Sequence, residues 1–405
     1  MSLHNTSHSL ADTLSVAKAL AKRHGITRSA DISDFSKVKL PVWIALRPNA
    51  KCLSQSAGKG LCADSAQISA LMEGIEISTS ENVDQKDAIH LSVEKSQESG
   101  LNCIDLEEHP LQACIPTNQK VPWLKSTCLR TGQNWLMPAE MLSLDFTMAG
   151  EKGKRPRQFR TTSNGLASGR TYVEACVSGL LEVIERHSIT LNNMLLGNLR
   201  KMEIGHCCPP KLSAVLEQLD EHGVNVAIYD SSVISGVHAI EAFLWSPEGV
   251  VPPVHGFGCS LDLEVAILRA VLEANQASTL LLSGSRDDLA KHTYLITADS
   301  ERIANTYERK TRKIQRFEKT DFGAFELTPE EELQSIIKQT SLHIDREILV
   351  HRYTPHDYPL SVCKVFVPTM EGYYMSGYRP QRRLITDATK DDLNTGLQLA
   401  AGGKI

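Results

Sequence analysis

Three stretches of this chain repeat one pattern, in which a glycine-containing segment precedes a helix-like run with acidic residues three or four positions apart. The three elements occupy residues 58–78, 163–190 and 256–283. The pattern is Glu-x-x-Glu in the first two elements, at Glu73 and Glu76 and at Glu182 and Glu185. It is Glu-x-x-Gln in the third, at Glu273 and Gln276. Residues at this spacing share one face of an α-helix. The chain must therefore either expose three polar stripes or gather them into one site.

The flanks of these stripes are rich in small and apolar residues, which is typical of packed helices with one polar face. Neighbouring carboxylates on a helix repel each other by a few tenths of a kcal/mol per pair. Magnesium would relieve that repulsion, because it takes carboxylate oxygens and keeps other positions for water and phosphate. A single Glu-x-x-Glu is most often a solvated helix face. Three of them favour a shared magnesium and nucleotide site.

Further polar positions extend the stripes, namely Ser69 in the first element, Glu174 and Ser178 in the second, and Arg269 in the third. Helix spacing alone places Arg269 there, and we expect it to form a salt bridge with a neighbouring glutamate.

The second element resembles the central signature of YcaO-domain proteins. The resemblance lies in Ser163-Asn164-Gly165-Leu-Ala-Ser-Gly169, Glu174 and Glu182-Val-Ile-Glu185-Arg186. The first element, with Gly58-Lys59-Gly60, and the third fall where that family has its other two nucleotide-site motifs. The resemblance runs from about Val42 through Glu371-Gly372.

This resemblance implies an α/β fold of the YcaO type, with repeated α/β subdomains around a glutamate-lined cleft for ATP and Mg2+. Family members bind ATP without a P-loop. The sequence agrees, because Gly58-Lys59 is followed by Gly60 and not by the hydroxyl residue that a P-loop supplies to magnesium.

The resemblance also implies roles for individual residues. The candidate magnesium ligands are Glu73, Glu76, Glu182, Glu185 and Glu273. Arg186 and Lys59 would contact phosphate, and Arg186 would act with Glu182 and Glu185 in catalysis. The remaining candidates for binding nucleotide or metal-bound water are Ser69, Ser163, Asn164, Glu174, Arg269 and Gln276.

Many YcaO proteins use ATP to phosphorylate a backbone amide oxygen of a peptide. A Cys, Ser or Thr nucleophile then gives an azoline ring, and sulfide from a partner gives a thioamide. Azoline-forming members commonly end in a proline-rich tail, whereas this chain has no proline after Pro380. The segment 282–289 also resembles members that work with TfuA-type partners, so we expect thioamide formation on a precursor peptide. The alternatives are a cyclodehydratase, a non-catalytic ATP-binding accessory factor, and a peptide-recognition subunit with a decayed site.

Composition bounds the remaining possibilities. The 405 residues are 41% hydrophobic and 22% charged, as in an ordinary globular protein. A net charge of −5 gives no general reason to bind nucleic acid or anionic membrane. No secretory signal and no bilayer-spanning apolar run is evident, so we expect a cytoplasmic protein. The oligomeric state stays open, with a homodimer among the options.

The ten cysteines show no Cys-x-x-Cys pair and no scaffold spacing, so we expect them to be reduced. Cys176 and Cys259 suit core packing. His206-Cys207-Cys208 invites a zinc site, but Pro209-Pro210 follow at once and favour a turn.

We expect an N-terminal helical segment, 1–37, followed by the YcaO-like domain that the resemblance implies, 38–405. Helices are predicted at 12–24, 64–78, 171–190, 212–222, 262–282, 301–319 and 328–339. Strands are predicted at 38–46, 224–230, 240–244, 250–254, 345–353 and 360–367, with strand and loop over 135–145. Residues 80–120 read as a variable connection. The basic segment 152–160 reads as a solvated loop or a contact for phosphate or peptide.

Overall fold

The computed structural model has the predicted α/β architecture, with helices and strands alternating along the chain. It describes residues 8–106, 118–148, 158–159, 161–195, 199–204, 208–246, 251–284, 316–319, 322 and 326–372.

In the described part of the chain the α-helices are α1 (Leu10–Ala21), α2 (Ala63–Ser80), α3 (Val93–Glu98), α4 (Ala139–Leu142), α5 (Tyr172–Leu195), α6 (Pro210–Glu221), α7 (Leu263–Ser283) and α8 (Pro329–His343). The strands are β1 (Arg28–Asp31), β2 (Val42–Leu46), β3 (Gln55–Lys59), β4 (Ile89–Ser92), β5 (Lys120–Cys128), β6 (Asn134–Pro138), β7 (Leu166–Gly169), β8 (Arg200–Ile204), β9 (Asn225–Asp230), β10 (His238–Trp245), β11 (Val254–Ser260), β12 (Arg316–Lys319), β13 (Leu349–Arg352) and β14 (Ser361–Phe366).

These strands form three sheets within the described residues. The first has the order β1-β2-β3 and is antiparallel. The second has the order β11-β10-β9-β8-β12, in which only β12 pairs parallel to its neighbour. The third has the order β4-β5-β13-β14-β7, with β6 paired to β5. Each sheet contributes one strand that runs directly into an acidic helix, so every acidic element is a strand–helix unit.

The predicted helix ends follow from local capping. Asp262 caps α7 by accepting the backbone N–H of Glu264 at 2.8 Å, and Gly284 ends the helix in the left-handed conformation with φ of 60°. Thr328 begins α8 with a capping box to Glu331. These contacts satisfy backbone groups that a helix end otherwise leaves unpaired.

Two buried clusters fasten α5 and α7 to their sheets. Leu180 and Ile184 of α5 pack with Val365 of β14. Ile267 of α7 packs with Ile240 of β10 in a second cluster. Full burial of such side chains contributes about 1.5–3 kcal/mol each, so these helices can carry polar groups on their opposite face without losing their position.

Several predicted boundaries were wrong. The strand predicted over 38–46 begins only at Val42, because Pro41 lacks an N–H and Lys39 adopts a left-handed φ of 54°. The connection predicted over 80–120 contains β4 and α3, which are too short to show a period. Residues 139–142, predicted as loop, form α4, and the long strand β5 was missed.

The helix predicted over 301–319 falls mostly outside the described residues. Its last four residues form β12, which pairs parallel with β8, so the prediction is wrong there. The basic segment 152–160 is described only at Gln158 and Phe159, and both backbone N–H groups donate to Glu140 Oε1.

The predicted boundary between residues 37 and 38 stays a prediction. Strand β1 lies before it and pairs along its whole length with β2, which lies after it.

Among the described residues one helix, α7, is long and apolar enough to cross a membrane by length and composition alone. That differs from the expectation that no run would be long enough. A buried core helix has the same length and composition, and 61% of the apolar window of α7 is buried inside the protein.

The described cysteines are all free thiols, and their reduced state stays a prediction. Cys176 and Cys259 are fully buried in the cluster around α5, where they serve as packing. His206 and Cys207 lie outside the described residues.

Candidate nucleotide and metal site

Each acidic helix lies directly on the glycine-containing strand that precedes it, giving the pairs β3–α2, β7–α5 and β11–α7. Glycine allows this close contact. A Cβ at Gly58 would lie 2.1 Å from the backbone nitrogen of Ala70, and one at Gly256 would lie 2.2 Å from the carbonyl oxygen of Ala270. Real Cβ atoms do not approach backbone so closely, so these positions need glycine for the helix to lie on the strand.

The three strand–helix units also contact one another in a closed ring. Helix α2 touches β7 of the second unit, α5 touches β11 of the third, and α7 touches β3 of the first. Each helix is thus held between its own strand and the strand of the next unit. This arrangement turns the three acidic stripes toward a common centre.

Side-chain contacts cross between the units at equivalent strand positions. Lys59 of β3 donates to Glu273 Oε2 of α7 at 2.6 Å. Ser168 of β7 donates to Glu76 Oε1 of α2 at 2.5 Å. Glu73 is bound within its own unit, where its Oε2 accepts the backbone N–H of Ala57 at 2.7 Å. A polar contact to an acidic residue therefore joins the first unit to the third, and another joins the second unit to the first.

The carboxyl groups on α2 and α5 are held in an environment that disfavours charge. Burial raises the pKa of Glu76 to about 8, and the charges of Glu73 and Glu182 add to that rise. Burial also raises the pKa of Glu182 to about 7, with Glu185 and Glu273 contributing. These shared electrostatic effects place residues from all three helices within reach of one another. Without a bound cation, Glu76 is mostly protonated at neutral pH.

Glu185 and Glu273 both lie close to cations. Burial raises the pKa of Glu185, against the attraction of Arg186, whose Nη2 lies 3.6 Å from its Oε1. Burial would raise the pKa of Glu273 as well, but Lys59, Arg186 and Arg269 together hold it below the ordinary value. The site thus combines carboxylates and cations, which is the composition that binds a metal together with phosphate.

The structure places the remaining predicted site residues less uniformly. The guanidinium of Arg269 donates to the carbonyl oxygen of Cys259 at 3.1 Å and forms no ion pair with a described glutamate, so the predicted salt bridge is wrong there. Glu174 accepts the backbone N–H of Thr171 at 3.1 Å in a reciprocal cap of α5. Ser163 is exposed just before the turn at Gly165, and Ser69 is half-buried on α2.

Two predicted residues carry buried oxygens that no described protein group satisfies. Asn164 Oδ1 and Gln276 Oε1 are buried and accept no hydrogen bond from a described donor. Buried polar atoms nearly always have a partner, so these amides suit a ligand that donates hydrogen bonds, such as a metal-bound water or a nucleotide. They support the fit of ATP and Mg2+ to this cleft.

The described side chains do not form a ready cage for a bare ion. No three His, Cys, Asp or Glu residues in the described part of the chain are arranged to hold a metal by themselves. Magnesium usually keeps several waters and is bound through one or two carboxylates plus phosphate oxygens. The arrangement therefore fits a metal that binds together with nucleotide, and which glutamates would ligate it stays a prediction.

Sequence reasoning missed two residues beside the cleft. Ser168 occupies the position in its unit that Lys59 occupies in the first, counted back from the shared glutamates, so aligning the three elements would have found it. Lys364 of β14 is buried, donates to the carbonyl oxygens of Met141 (3.1 Å) and Thr162 (2.5 Å), and lowers the pKa of Glu182. Nothing local in the sequence points to Lys364.

Comparison with known proteins agrees with this geometry. A relative from Rhizobium leguminosarum bv. trifolii, described as an uncharacterized protein in the tfuA 3′ region, is 27% identical over 394 residues, covering 91% of this chain and 89% of the relative. The structure of YcaO from Methanopyrus kandleri bound with AMPPCP and Mg2+ superposes with a TM-score of 0.70 at 20% identity, covering 93% of this chain and 97% of that one.

A heterocyclase in complex with substrate and cofactor superposes with a TM-score of 0.74 at 20% identity over 91% of this chain. The alignment covers 53% of the heterocyclase, so this chain spans about half its length. At these identities the two structures show a common fold. The family model described as YcaO cyclodehydratase, ATP- and Mg2+-binding, matches residues 57–371. That match covers well over half of the sequence, and the chain therefore belongs to the YcaO family, with ATP and Mg2+ as its cofactors.

Proposed function

We propose that this protein uses ATP to phosphorylate the oxygen of a peptide backbone amide, as a step in modifying a ribosomally made peptide. The observation that carries the proposal is the meeting of Glu76, Glu182 and Glu273 with two cations, Lys59 and Arg186, in one cleft. These are groups that can hold magnesium and stabilise negative charge on a transferring phosphoryl group.

The chemistry explains why ATP is needed. An amide oxygen is a poor leaving group, and phosphorylation converts it into one that departs readily after a nucleophile has added at carbon. Bound magnesium would neutralise charge on the phosphates. Arg186 lies between Glu182 at 4.0 Å and Glu185 at 3.6 Å, which fixes its guanidinium for contact with phosphate. Lys59 adds a second cation from the first unit, where its Nζ lies 2.6 Å from Glu273 Oε2.

The product depends on the nucleophile, and we favour a thioamide formed with an external sulfur donor and a TfuA-type partner. The support is the Rhizobium leguminosarum relative, whose description places it in a tfuA 3′ region. A second candidate is an azoline-forming cyclodehydratase that acts on Cys, Ser or Thr. The description of the family as cyclodehydratases supports that alternative. For either product we place the reaction in the cytoplasm.

The test is mass spectrometry of candidate precursor peptides, encoded near this gene, after incubation with the protein, the TfuA-type partner, ATP and Mg2+. With a sulfide source, the peptide should gain the mass of an oxygen-to-sulfur exchange at a backbone amide, and without sulfide it should stay unmodified. Loss of water at Cys, Ser or Thr without added sulfide would show a cyclodehydratase instead. The control is Glu185→Gln, which should give no product in either condition.

ATP consumption by itself cannot separate these products, because both pass through the same phosphorylated amide. Nucleotide binding without any peptide product would instead support an ATP-binding accessory factor and contradict amide activation.

A further inference from the structure

One face of the second sheet carries a polar pair that no part of the nucleotide site explains. In the register of β10 and β11, Phe243 lies opposite His255 and Glu241 lies opposite Phe257. Residues directly opposite each other, and residues two apart on one strand, point to the same side of a sheet. These four side chains therefore share one face, and the next pair on that face, Ala239 and Cys259, packs in the cluster around α5.

Glu241 and His255 are joined by a hydrogen bond of 2.7 Å between the histidine Nδ1 and the carboxylate Oε1. The Glu241 side chain is only 8% exposed, whereas that of His255 is 36% exposed. A carboxylate accepts hydrogen bonds, so it fixes the proton on Nδ1 and leaves the lone pair of a neutral ring on Nε2. The ring also rests against Phe243, with centroids 4.8 Å apart.

The pair adjoins the nucleotide and metal site. Phe257 lies two residues further along β11 on the same face. The guanidinium carbon of Arg186 lies over its ring, 5.8 Å from the ring centroid. Cys259 lies two residues further along the strand. Burial raises the pKa of its thiol, and the nearby carboxylate of Glu185 raises that pKa further. Alternate residues of a strand are about 6.6–6.8 Å apart. His255 is therefore one such spacing along β11 from Phe257, which lies against the Arg186 side chain that we assign to phosphate.

The repeated units give a second reason to place His255 at the cleft. When the units are aligned on Glu73, Glu182 and Glu273, His255 falls at the position of Asn164 in the second unit. Each of these residues precedes a glycine, Gly165 or Gly256, that lies tightly against neighbouring backbone. Asn164 is one of the residues that carry the buried, unsatisfied oxygens of the cleft. The third unit thus offers an imidazole where the second offers an amide.

We propose that His255, held by Glu241, accepts the proton of the nucleophile that attacks the activated amide; this rests on the proposed function. As the bond from nucleophile to amide carbon forms, the bond from nucleophile to hydrogen breaks and the proton passes to Nε2. The carbon–oxygen bond to phosphate then breaks, and the electron pair leaves with the phosphate. His255 returns the first proton to the departing phosphate. With hydrogen sulfide the second proton also passes from sulfur to that phosphate, and the amide nitrogen keeps the hydrogen that it had. Glu241 is the positioning residue of the pair.

The experiment compares wild type, His255→Ala and Glu241→Gln in two separate measurements. The first is binding of AMPPCP with Mg2+, which should stay within about 3-fold of wild type. The second is the rate of peptide product, which should fall about 100-fold in His255→Ala, the scale of a lost general base. Added imidazole should restore part of that rate in His255→Ala. The product rate of Glu241→Gln should fall about 10-fold. Added imidazole should not restore that rate, because the His255 ring is still present in this variant.

The matched control is His351→Ala. His351 also uses its Nδ1 in a hydrogen bond, to the carbonyl oxygen of Lys125 at 2.9 Å, but it lies on β13. Its product rate should match wild type and should not respond to imidazole.

Three outcomes would overturn the proposal. An unchanged product rate in His255→Ala would show that no proton passes through this ring. A loss of AMPPCP binding that matches the loss of rate would make His255 a nucleotide contact. A reduced rate without imidazole rescue, in a variant with normal circular dichroism, would make the pair structural. If wild type gives no peptide product in any condition, the proposed function fails, and this inference fails with it.

Discussion

Two carboxylates on one helix show how this chain separates structure from function. Glu76 lies within α2. Glu81 comes about one and a half turns after Glu76, directly after the last residue of the helix. Glu81 is 3% exposed, forms an ion pair with Arg47, and accepts the backbone N–H groups of Lys51 (3.0 Å) and Cys52 (2.9 Å). Each of its oxygens has a protein donor.

Glu76 has a single described donor, Ser168, and faces the like charges of Glu73 and Glu182. Its surroundings hold the pKa at about 8 and keep the carboxyl protonated until a cation arrives. Burial alone therefore does not identify a functional acid in this protein. The distinguishing feature is whether protein groups already satisfy it. Glu81 is complete within the fold, whereas we propose that a bound cation completes Glu76 and Glu182.

The largest effect should come from breaking the satisfied pair. Arg47→Met leaves the Glu81 carboxylate buried without its cation, and removal of one partner of a buried ion pair costs about 3–5 kcal/mol. The free energy of unfolding, measured by urea titration, should fall by that amount. The ATP turnover of the folded fraction should stay at the wild-type level. A loss below about 1 kcal/mol would mean that Glu81 is not held by this pair.

The second largest effect should be a loss of activity, with the fold intact, when Glu182 or Glu185 of the cleft is substituted. Glu182→Gln and Glu185→Gln each remove a ligand charge, and we expect Mg2+-dependent ATP turnover to fall at least about 10²–10³-fold, the scale of a lost charge-stabilising contact. Circular dichroism should remain normal, because helix packing depends on the apolar face. Wild-type turnover in both variants would contradict the glutamate site.

The same substitution at Glu73 and at Glu273 tests whether the ring of units acts as one site. These residues lie on α2 and α7, far apart in sequence, and each should cause a loss similar to that of Glu182→Gln. If only the α5 variants lose turnover, the three helices would not share one catalytic cleft.

Stability should also depend on pH in a direction set by the unsatisfied acids. The pKa of Glu76 is about 8 in the folded protein and 4.5 ordinarily. Between those values the folded state holds a proton that the unfolded state has lost, so stability falls as pH rises. Glu182, with a pKa of about 7, acts in the same direction.

Without Mg2+ and nucleotide, the melting temperature should therefore decline from pH 5 to pH 8, and Glu76→Gln should flatten the decline. The control is Glu94→Gln, the same change at an exposed position on α3, which should keep the wild-type slope. Identical slopes in wild type and Glu76→Gln would show that Glu76 is ionised in the folded protein.

The contrast between these carboxylates also marks what the sequence could predict. The acidic stripes were predictable because residues three or four apart on a helix share a face whatever the tertiary structure. The glycines before them were equally local. Glu81 was not singled out, because its partners lie in the loop between β2 and β3. Glu76 contacts Ser168, which lies 92 residues away, because α2 lies against β7 of another unit. Glu241 contacts His255 because of the register of β10 and β11. No local pattern encodes these arrangements.

Short elements failed for a related reason. Helices α3 and α4 have six and four residues, too few for a periodic pattern. Strand β5 contains Pro122, which discourages a strand assignment. Tertiary packing decides these segments. Their absence from the prediction left the acidic elements unaffected.

The smallest expected effect concerns the one donor that Glu76 does have. Ser168→Ala removes a hydrogen bond of 2.5 Å to a carboxyl that is protonated at neutral pH, and a neutral bond of this kind contributes about 1 kcal/mol. The free energy of unfolding should fall by about that much. The bond also lowers the pKa of Glu76, so its removal should raise that pKa further, as followed by infrared titration of the carboxyl stretch. An unchanged titration in Ser168→Ala would mean that burial and like charge alone set the state of Glu76, and the polar contact between the first two units would then be structural only.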